Sequence, residues 1–399
     1  MPMRRGVLFI FLLVTLLHTN AIAQRNRAQF SDFLSHAYFG LDVGYINYPF
    51  SNDQLKEGFT SESIKVPHTA VRLTLLGYRF NKYLSAEINY LRPVSWVRYE
   101  DINGAKWNLP VFMNLATIVL KPSLPLNNDF SLNGEAGFAL VTRRGIEMDQ
   151  NKLIEDATYA SVSVGGGIGY HLNEKWELLV HASFSPSNNE EKQPATSFYS
   201  AGFKYKLRKL PEETVKRNSE SGFIFPQQVL QIGYSTSQPG YGVNNFFSKK
   251  PLPIFWGGHV QVRRGVTLNY QRNIFHTRKV FSLEWGASVA YWKSNENGEE
   301  FYTASLYPLL RFTVIRTKPI DIYFNYSVAG PSYISKTTID EVETGKKFTF
   351  QDFMGMGVYA GKNRKLNAEF KIAHYSNGNL FPQNDGVMIP LTFSLGFTF

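Results

Sequence analysis

The last eleven residues of the chain, I-P-L-T-F-S-L-G-F-T-F at 389–399, place an apolar side chain at every second position. These apolar residues are Ile389, Leu391, Phe393, Leu395, Phe397 and Phe399. Successive side chains of a β-strand point to opposite faces, so the pattern predicts a strand with one apolar and one polar face. The same alternation recurs at 176–184, 281–291 and 320–328. We therefore expect an all-β protein built from antiparallel strands.

A secreted β-sandwich would also contain alternating strands, and two features favour a membrane barrel instead. The alternation extends over about ten residues, which is the length of a transmembrane β-strand rather than of an average strand. The last strand also ends in Phe399, and an alternating terminal strand ending in Phe resembles the signal that the outer-membrane assembly machinery reads. We therefore predict a barrel in a bacterial outer membrane, with that machinery as a partner through the C-terminal strand.

The first 23 residues have the layout of a secretory signal peptide. Arg4 and Arg5 precede a short apolar run at 7–17, and Ala21-Ile22-Ala23 forms a small-x-small cleavage site. The apolar run is about half as long as a membrane-spanning helix requires. We expect export, with cleavage leaving Gln24 as the first residue. No Cys follows that site, so we expect no lipoprotein anchor.

Composition restricts the chemistry and the partners. The chain contains no cysteine, so it has no disulfide and no thiolate that could act as a nucleophile or metal ligand. No Cys/His cluster indicates a zinc or iron site, and we predict neither a metal nor a cofactor. The net charge of +10 suits an anionic surface such as the phosphates of lipopolysaccharide. The basic residues are scattered without a recognition motif, so we do not expect nucleic acid as a partner.

Counting alternating segments gives eight strands in each half of the chain, and transmembrane barrels require even numbers. In the first half they lie near 38–47, 68–80, 82–92, 107–121, 129–142, 158–171, 175–186 and 197–208. In the second half they lie near 228–236, 256–273, 279–293, 301–315, 319–333, 350–360, 365–376 and 389–399. The segment between them is polar, lacks alternation and is typical of a linker.

This count divides the chain into four parts. We predict a signal peptide at 1–23, an N-terminal eight-stranded β-barrel at 24–208, a linker at 209–227 and a C-terminal eight-stranded β-barrel at 228–399. One sixteen-stranded barrel is the alternative. A diffusion channel would need that alternative, because side chains fill the interior of an eight-stranded barrel.

The segments H-Y-S-N-G at 374–378 and Q-N-D-G at 383–386 carry the candidate chemistry. His374 and Ser376 are two residues apart on a predicted strand, so both share the outward face with Leu366 and Phe370. A polar pair facing lipid costs free energy, which indicates a function. If both termini lie in the periplasm, the pair lies at the level of the outer leaflet. A Ser–His pair is the minimum for nucleophilic acyl transfer, so we expect a lipid ester as the substrate.

This pattern of residues resembles that of the lipid A 3-O-deacylase family. Its members are eight-stranded outer-membrane barrels that hydrolyse an ester-linked acyl chain. The resemblance covers about 228–399, whereas the first half resembles only a generic small outer-membrane barrel. It implies a carboxylic ester hydrolase acting on lipid A or lipopolysaccharide, with Ser376 as the nucleophile and His374 as the general base. Asn377, Asn384 and Gly386 match motif positions, and the two asparagines are candidates for the oxyanion hole. The alternative is a non-catalytic structural or interaction barrel.

The sequence departs from this family at the third member of the catalytic triad. The family has a Glu fourteen residues after the His, and Met388 occupies that position here. Asp385 is one substitute. Asp352 is the preferred one, because a hairpin turn at 362–364 would place it opposite His374. We expect its carboxylate within about 4 Å of an imidazole nitrogen.

Overall fold

The computed structural model describes residues 27–148, 151–248 and 257–399. The predicted signal peptide and its cleavage site lie outside these residues. Within them, most of the chain is β-strand, with short α-helices at Asp32–Ser35, Glu212–Ser219 and Gly242–Ser248. None of the helices in the described part is long and apolar enough to cross a membrane.

The first half of the chain forms a closed antiparallel barrel of eight strands. The strands are β1 (Ala37–Asn47), β3 (Thr69–Arg79), β4 (Leu84–Pro93), β6 (Ala105–Pro125), β7 (Phe130–Arg144), β10 (Ala157–His171), β11 (Trp176–Ser185) and β12 (Thr196–Lys206). Their order around the barrel is β6-β4-β3-β1-β12-β11-β10-β7, and pairing of β6 with β7 closes it. The eight predicted strands of this half are therefore confirmed, with ends that differ by a few residues.

The second half forms a second closed barrel, in which every strand pairs with its neighbour in sequence. Its strands are β13 (Gln228–Thr236), β14 (Val260–His276), β15 (Phe281–Ser294), β16 (Glu300–Arg316), β17 (Ile320–Ile334), β20 (Phe348–Ala360), β21 (Leu366–Ser376) and β22 (Val387–Thr398). The first and last strands pair from Val229 with Thr398 to Ser235 with Thr392. Two eight-stranded barrels are therefore confirmed, and the single sixteen-stranded barrel is wrong.

Six shorter strands lie in the connections at the opposite end from the short turns, and the sequence did not predict them. They are β2 (Ser61–Lys65), β5 (Val97–Ile102), β8 (Ile146–Met148), β9 (Asn151–Ile154), β18 (Thr338–Ile339) and β19 (Val342–Glu343). β5 pairs with β6 and β2 pairs with β5, so this part of the sheet continues beyond the barrel wall. The connections at this end of each barrel are the longer ones.

The interior of the first barrel differs along its length. A cavity of about 1050 Å³ lies at the end with the short turns, next to Tyr38, Arg79 and Lys206. Ion pairs cross the middle of the interior, including Arg72 with Asp42 at 2.9 Å and Lys204 with Glu87 at 2.8 Å. An apolar cluster fills the end with the long connections; its largest buried side chains are Tyr48, Tyr99 and Phe198. The interior therefore does not form a continuous channel.

The predicted linker contains the helix Glu212–Ser219, which the absence of alternation did not reveal. Its Lys216 and Arg217 are exposed. We expect limited trypsin treatment of the membrane-embedded protein to cut here and to leave two fragments, because each barrel closes its own sheet. Both should remain in the membrane and shift in gel mobility on heating. A Lys216→Gln/Arg217→Gln variant should resist this cut, and release of either fragment from the membrane would contradict independent barrels.

Candidate functional site

The site is a row of side chains across three neighbouring strands of the second barrel. His374 lies on β21, directly opposite Asp352 of β20 on one side and Met388 of β22 on the other. Directly opposed residues on antiparallel strands share a face, with Cβ atoms about 5 Å apart. Ser376 follows on the same face, about 7 Å further along the strand. The predicted hairpin register of β20 and β21 is confirmed, with the turn at Lys362–Arg364.

Asp352 lies between the histidine and a backbone amide. Its Oδ2 is 3.7 Å from Nδ1 of His374, which is within the separation expected from the sequence. Its Oδ1 accepts a hydrogen bond of 2.6 Å from the backbone N–H of Ala329. Ala329 has a φ of 55° and lies in a bulge of β17, where the register shifts between Ser327 and Gly330. The bulge therefore aims a donor at the carboxylate and fixes its orientation.

The sequence did not reveal this role of Ala329, although a signal is present. The segment V-A-G-P at 328–331 interrupts an otherwise alternating strand. Gly and Pro within a strand mark bulges, because Pro has no N–H for the ladder and Gly accepts unusual backbone angles. A bulge could have been predicted here, but its contact with Asp352 depends on the register of another strand.

The expectation that His374 and Ser376 face lipid is wrong in one respect. Their face is the outward one, since Leu366 and Phe370 on the same side of β21 are 61% and 53% exposed. However, His374 is 2% exposed and Ser376 is 9% exposed. Alternation along one strand reports only which face a residue occupies. It does not report what other segments pack against that face.

Part of the cover over His374 comes from the start of β14 and the end of the loop before β22. The backbone N–H of Val260 donates to the carbonyl of Gly386 at 3.3 Å, and Val260 pairs in parallel with Val387. A side chain added at Gly386 would overlap Nε2 of His374 and the carbonyl oxygen of Gly257. Gly386, a motif residue, therefore allows the chain to pass closely over the imidazole ring.

The remaining motif residues form a compact loop at 377–386, here called the motif loop. It begins with a type I′ turn: Gly378 and Asn379 have φ of 63° and 59°, and the Leu380 N–H donates to the Asn377 carbonyl at 3.1 Å. The Asn377 N–H donates to Oδ1 of Asn384 at 2.7 Å. These contacts make the segment after Ser376 a defined structure rather than an open connection.

The side-chain amides of both motif asparagines are engaged within the loop. Nδ2 of Asn377 donates to the carbonyl of Gln383 at 2.5 Å, and Nδ2 of Asn384 donates to Oδ1 of Asn379 at 2.8 Å. In this arrangement they shape the motif loop. Each –NH2 group carries two N–H donors, and these contacts use one of them.

Asp385, the other acid suggested by the sequence, is engaged elsewhere. Its Oδ1 lies 2.8 Å from Nδ1 of His259, whose side chain is exposed. Asp352, rather than Asp385, is therefore the carboxylate that lies next to His374.

In the described part of the chain, no group of three or more His, Asp and Glu side chains is arranged to hold a metal ion. Asp352, His374 and Ser376 thus lie together on the outward face of β20 and β21.

The two halves of the chain match different protein families. Residues 9–206 match the family described as outer membrane protein beta-barrel domain. Residues 261–394 match the family described as lipid A 3-O-deacylase (PagL). The second match includes every site residue predicted from the sequence.

Solved structures with similarity to the chain include small outer-membrane barrels. The crystal structure of the outer membrane enzyme PagL has 19% sequence identity, covers 43% of this chain and 97% of its own, and has a TM-score of 0.29. Neisserial surface protein A has 15% identity, coverages of 43% and 97%, and a TM-score of 0.28. The N-terminal β-barrel domain of Pseudomonas aeruginosa OprF has 14% identity, coverages of 43% and 98%, and a TM-score of 0.28. No curated protein matches the chain.

The family matches agree with the two closed barrels and with the outward apolar face of each. The chain is therefore a bacterial outer-membrane protein of two β-barrels, and its second half matches the lipid A 3-O-deacylase family over residues 261–394.

Proposed function

We propose that the second barrel is a lipid A deacylase that hydrolyses an ester-linked acyl chain in the outer leaflet by a Ser–His mechanism. The observation that carries the proposal is the row of Asp352, His374 and Ser376 on the outward face, within the segment that matches the lipid A 3-O-deacylase family. The barrel fold does not require a serine, a base and an acid at this spacing on its outer wall, because polar groups cost free energy there.

Asp352, His374 and Ser376 each have a different role in the proposed reaction. Oδ2 of Asp352 lies 3.7 Å from Nδ1 of His374; on closing to hydrogen-bond distance it would favour a proton on that nitrogen and leave Nε2 to accept the proton of the Ser376 hydroxyl. Ser376 Oγ then attacks the ester carbonyl and forms a tetrahedral intermediate. His374 returns the proton to the departing sugar oxygen, which leaves an acyl-serine. A water molecule, deprotonated by the same histidine, releases the fatty acid and restores the hydroxyl.

The surroundings of the row suit a lipid ester. Below it, towards the short turns, the outward faces of the same three strands expose Met356, Phe370 and Phe393. Acyl chains packed on this apolar surface would bring the ester bonds near the membrane surface, to the level of Ser376. The buried position of Ser376 and His374 excludes bulk water, which strengthens the electrostatic contacts between the reacting groups.

The C-terminal strand supports the proposed partnership with the outer-membrane assembly machinery. On β22, Phe393, Leu395 and Phe397 are exposed on the outward face, and the other face carries the buried Thr392, Ser394 and Thr398. We propose that this strand is the segment the machinery recognises.

The direct test is the mass of lipid A from a host that makes the ordinary ester-linked form and expresses this protein. We expect the loss of one acyl chain, with release of the matching fatty acid. An unchanged lipid A mass, together with a protein that is folded and heat-modifiable in the outer membrane, would contradict the proposal.

Two observations favour a second candidate, a non-catalytic barrel that keeps the fold for a structural or interaction role. Met388 replaces the acid at the family position, and the Ser–His pair is covered rather than open to lipid. If this candidate is correct, lipid A stays unchanged, and a Ser376→Ala variant has the same phenotype as the wild type. The same mass measurement therefore separates the two functions.

A further inference from the structure

We propose that the first barrel positions the motif loop of the second barrel, through Tyr90, Asn114 and Thr142. This inference rests on the proposed function, since the motif loop follows Ser376 directly. It assigns the first barrel a part in catalysis: its outer wall is the surface against which the catalytic segment is held.

Three hydrogen bonds join the barrels at consecutive residues of the loop. Tyr90 OH donates to the carbonyl of Gly378 at 2.9 Å. Asn114 Nδ2 donates to the carbonyl of Asn379 at 2.7 Å. Thr142 Oγ1 donates to the carbonyl of Leu380 at 2.9 Å. All three acceptors are backbone oxygens, so these contacts fix the path of the chain through the turn.

A fourth contact holds the other side of the motif loop. Gln383 Nε2 donates to Oδ2 of Asp156 at 3.2 Å, just before β10 of the first barrel. Gln383 also accepts the short bond from Asn377 through its carbonyl. The first barrel therefore contacts both arms of the loop that carries the motif asparagines.

The three donors occupy a part of the first barrel that would otherwise face lipid. They lie on β4, β6 and β7, which are adjacent in the sheet, and Asn114 pairs directly with Thr142. Ile118 and Phe138, on the same faces of β6 and β7, are well exposed, whereas Asn114 and Thr142 are each 2% exposed. Burying polar groups on an outer wall is costly unless they are hydrogen-bonded, and here the bonds go to the motif loop.

The contacts hold the segment whose geometry matters for the reaction. Gly378 and Asn379 are in left-handed conformations, and the turn they form sets the direction of Asn377 and the end of β21. A loose turn would leave Ser376 and any oxyanion donor spread over several positions. Misplacement of reacting groups by about 1 Å costs on the order of 100-fold in rate. Tyr90, Asn114 and Thr142 are thus positioning residues, which act through the motif loop.

The test removes two hydroxyl donors and keeps the shape of each side chain. The variant is Tyr90→Phe/Thr142→Val in the full chain, reconstituted in lipopolysaccharide-containing membranes. The matched control is Tyr199→Phe/Thr158→Val. Thr158 is the cross-strand partner of Thr142, and both control residues are exposed on the outer wall. Tyr90→Phe/Thr142→Ser restores one hydroxyl and serves as the conservative variant.

We expect the first variant to lower kcat about 10- to 100-fold with little change in KM, because positioning of the reacting groups is lost while the lipid-binding surface remains. The control should keep the wild-type kcat, and the Thr142→Ser combination should recover most of it. A change in KM alone, or an equal fall in the control, would overturn the proposal.

Hydrogen exchange of the backbone amides at 377–386 gives a readout that does not depend on activity. Exchange should accelerate in Tyr90→Phe/Thr142→Val and stay unchanged in the control. If wild-type protein leaves lipid A intact, the proposed function fails. Faster exchange in the variant would then still support positioning of the loop by the first barrel, and unchanged exchange would overturn it.

Discussion

Replacing Ser376 by Ala is expected to stop acyl release from lipid A almost completely, with a fall in turnover of about 10⁴-fold or more. The hydroxyl is the proposed nucleophile, and no cysteine in the chain could substitute for it. The loss of one oxygen from a residue at the outer end of β21 removes no hydrogen bond of the barrel ladder. The variant should therefore fold, enter the outer membrane and shift in gel mobility on heating like the wild type.

His374→Ala should cause a loss of similar size, and the double variant should be no worse than either single one. Residues that act as a unit show this lack of additivity, because a nucleophile without its base is as inactive as a base without its nucleophile. The measurement is the rate of fatty-acid release from purified lipid A in mixed micelles. A double variant much slower than both single variants would show that the two residues act independently.

A buried serine outside the site provides the control. Ser394 of β22 is fully buried and faces the interior of the second barrel. Ser394→Ala should keep wild-type activity. If it lost activity as Ser376→Ala does, the effect would come from the barrel and not from a missing nucleophile.

Much of the fold follows from period-two alternation, and the register of the site strands follows from one turn. Residues 281–291 show why: the large apolar side chains face outward, and the polar side chains Ser282, Glu284 and Ser288 face the interior. The pairing of Asp352 with His374 could be predicted from the sequence. A short hairpin turn at 362–364 fixes which residues of β20 and β21 lie opposite each other. Local patterns decide these features, so the sequence alone is sufficient to predict them.

The cover over the site could not be predicted in the same way. Part of it comes from Gly386 and from the start of β14, which lies more than a hundred residues earlier in the chain. The motif loop is in turn held by Tyr90, Asn114 and Thr142 of the other barrel. Each of these residues lies at an ordinary position of an alternating strand. Only the packing of two separately closed sheets brings them to the loop, and periodicity carries no information about that packing.

Asp352, the proposed orienting carboxylate, gives the second large effect. Asp352→Asn is expected to lower turnover by about 10³- to 10⁴-fold, because a neutral amide neither holds the imidazole tautomer nor stabilises its charged form. Folding should be unaffected, since the amide oxygen of Asn can still accept the bond from Ala329. Full activity of Asp352→Asn would mean that Ser376 and His374 work as a dyad.

The position of Met388 offers a rescue that distinguishes a missing charge from a disturbed structure. It stands directly opposite His374 on the side away from Asp352. Met388→Glu, added to Asp352→Asn, should restore part of the activity by supplying a carboxylate from the other neighbouring strand. The restoration should be incomplete, because the register of β21 and β22 shifts next to this position, between Lys371 and Ala373, and will not aim the new side chain ideally.

Met388→Gln in the same Asp352→Asn background is the matched control for that rescue. Gln has the size and shape of Glu and can form hydrogen bonds, but it carries no charge. Activity that returns with Glu and not with Gln would identify the negative charge beside the imidazole as the missing component. Equal recovery with both would show that a hydrogen bond alone orients His374, and recovery with neither would place the requirement in the specific geometry of Asp352 and Ala329.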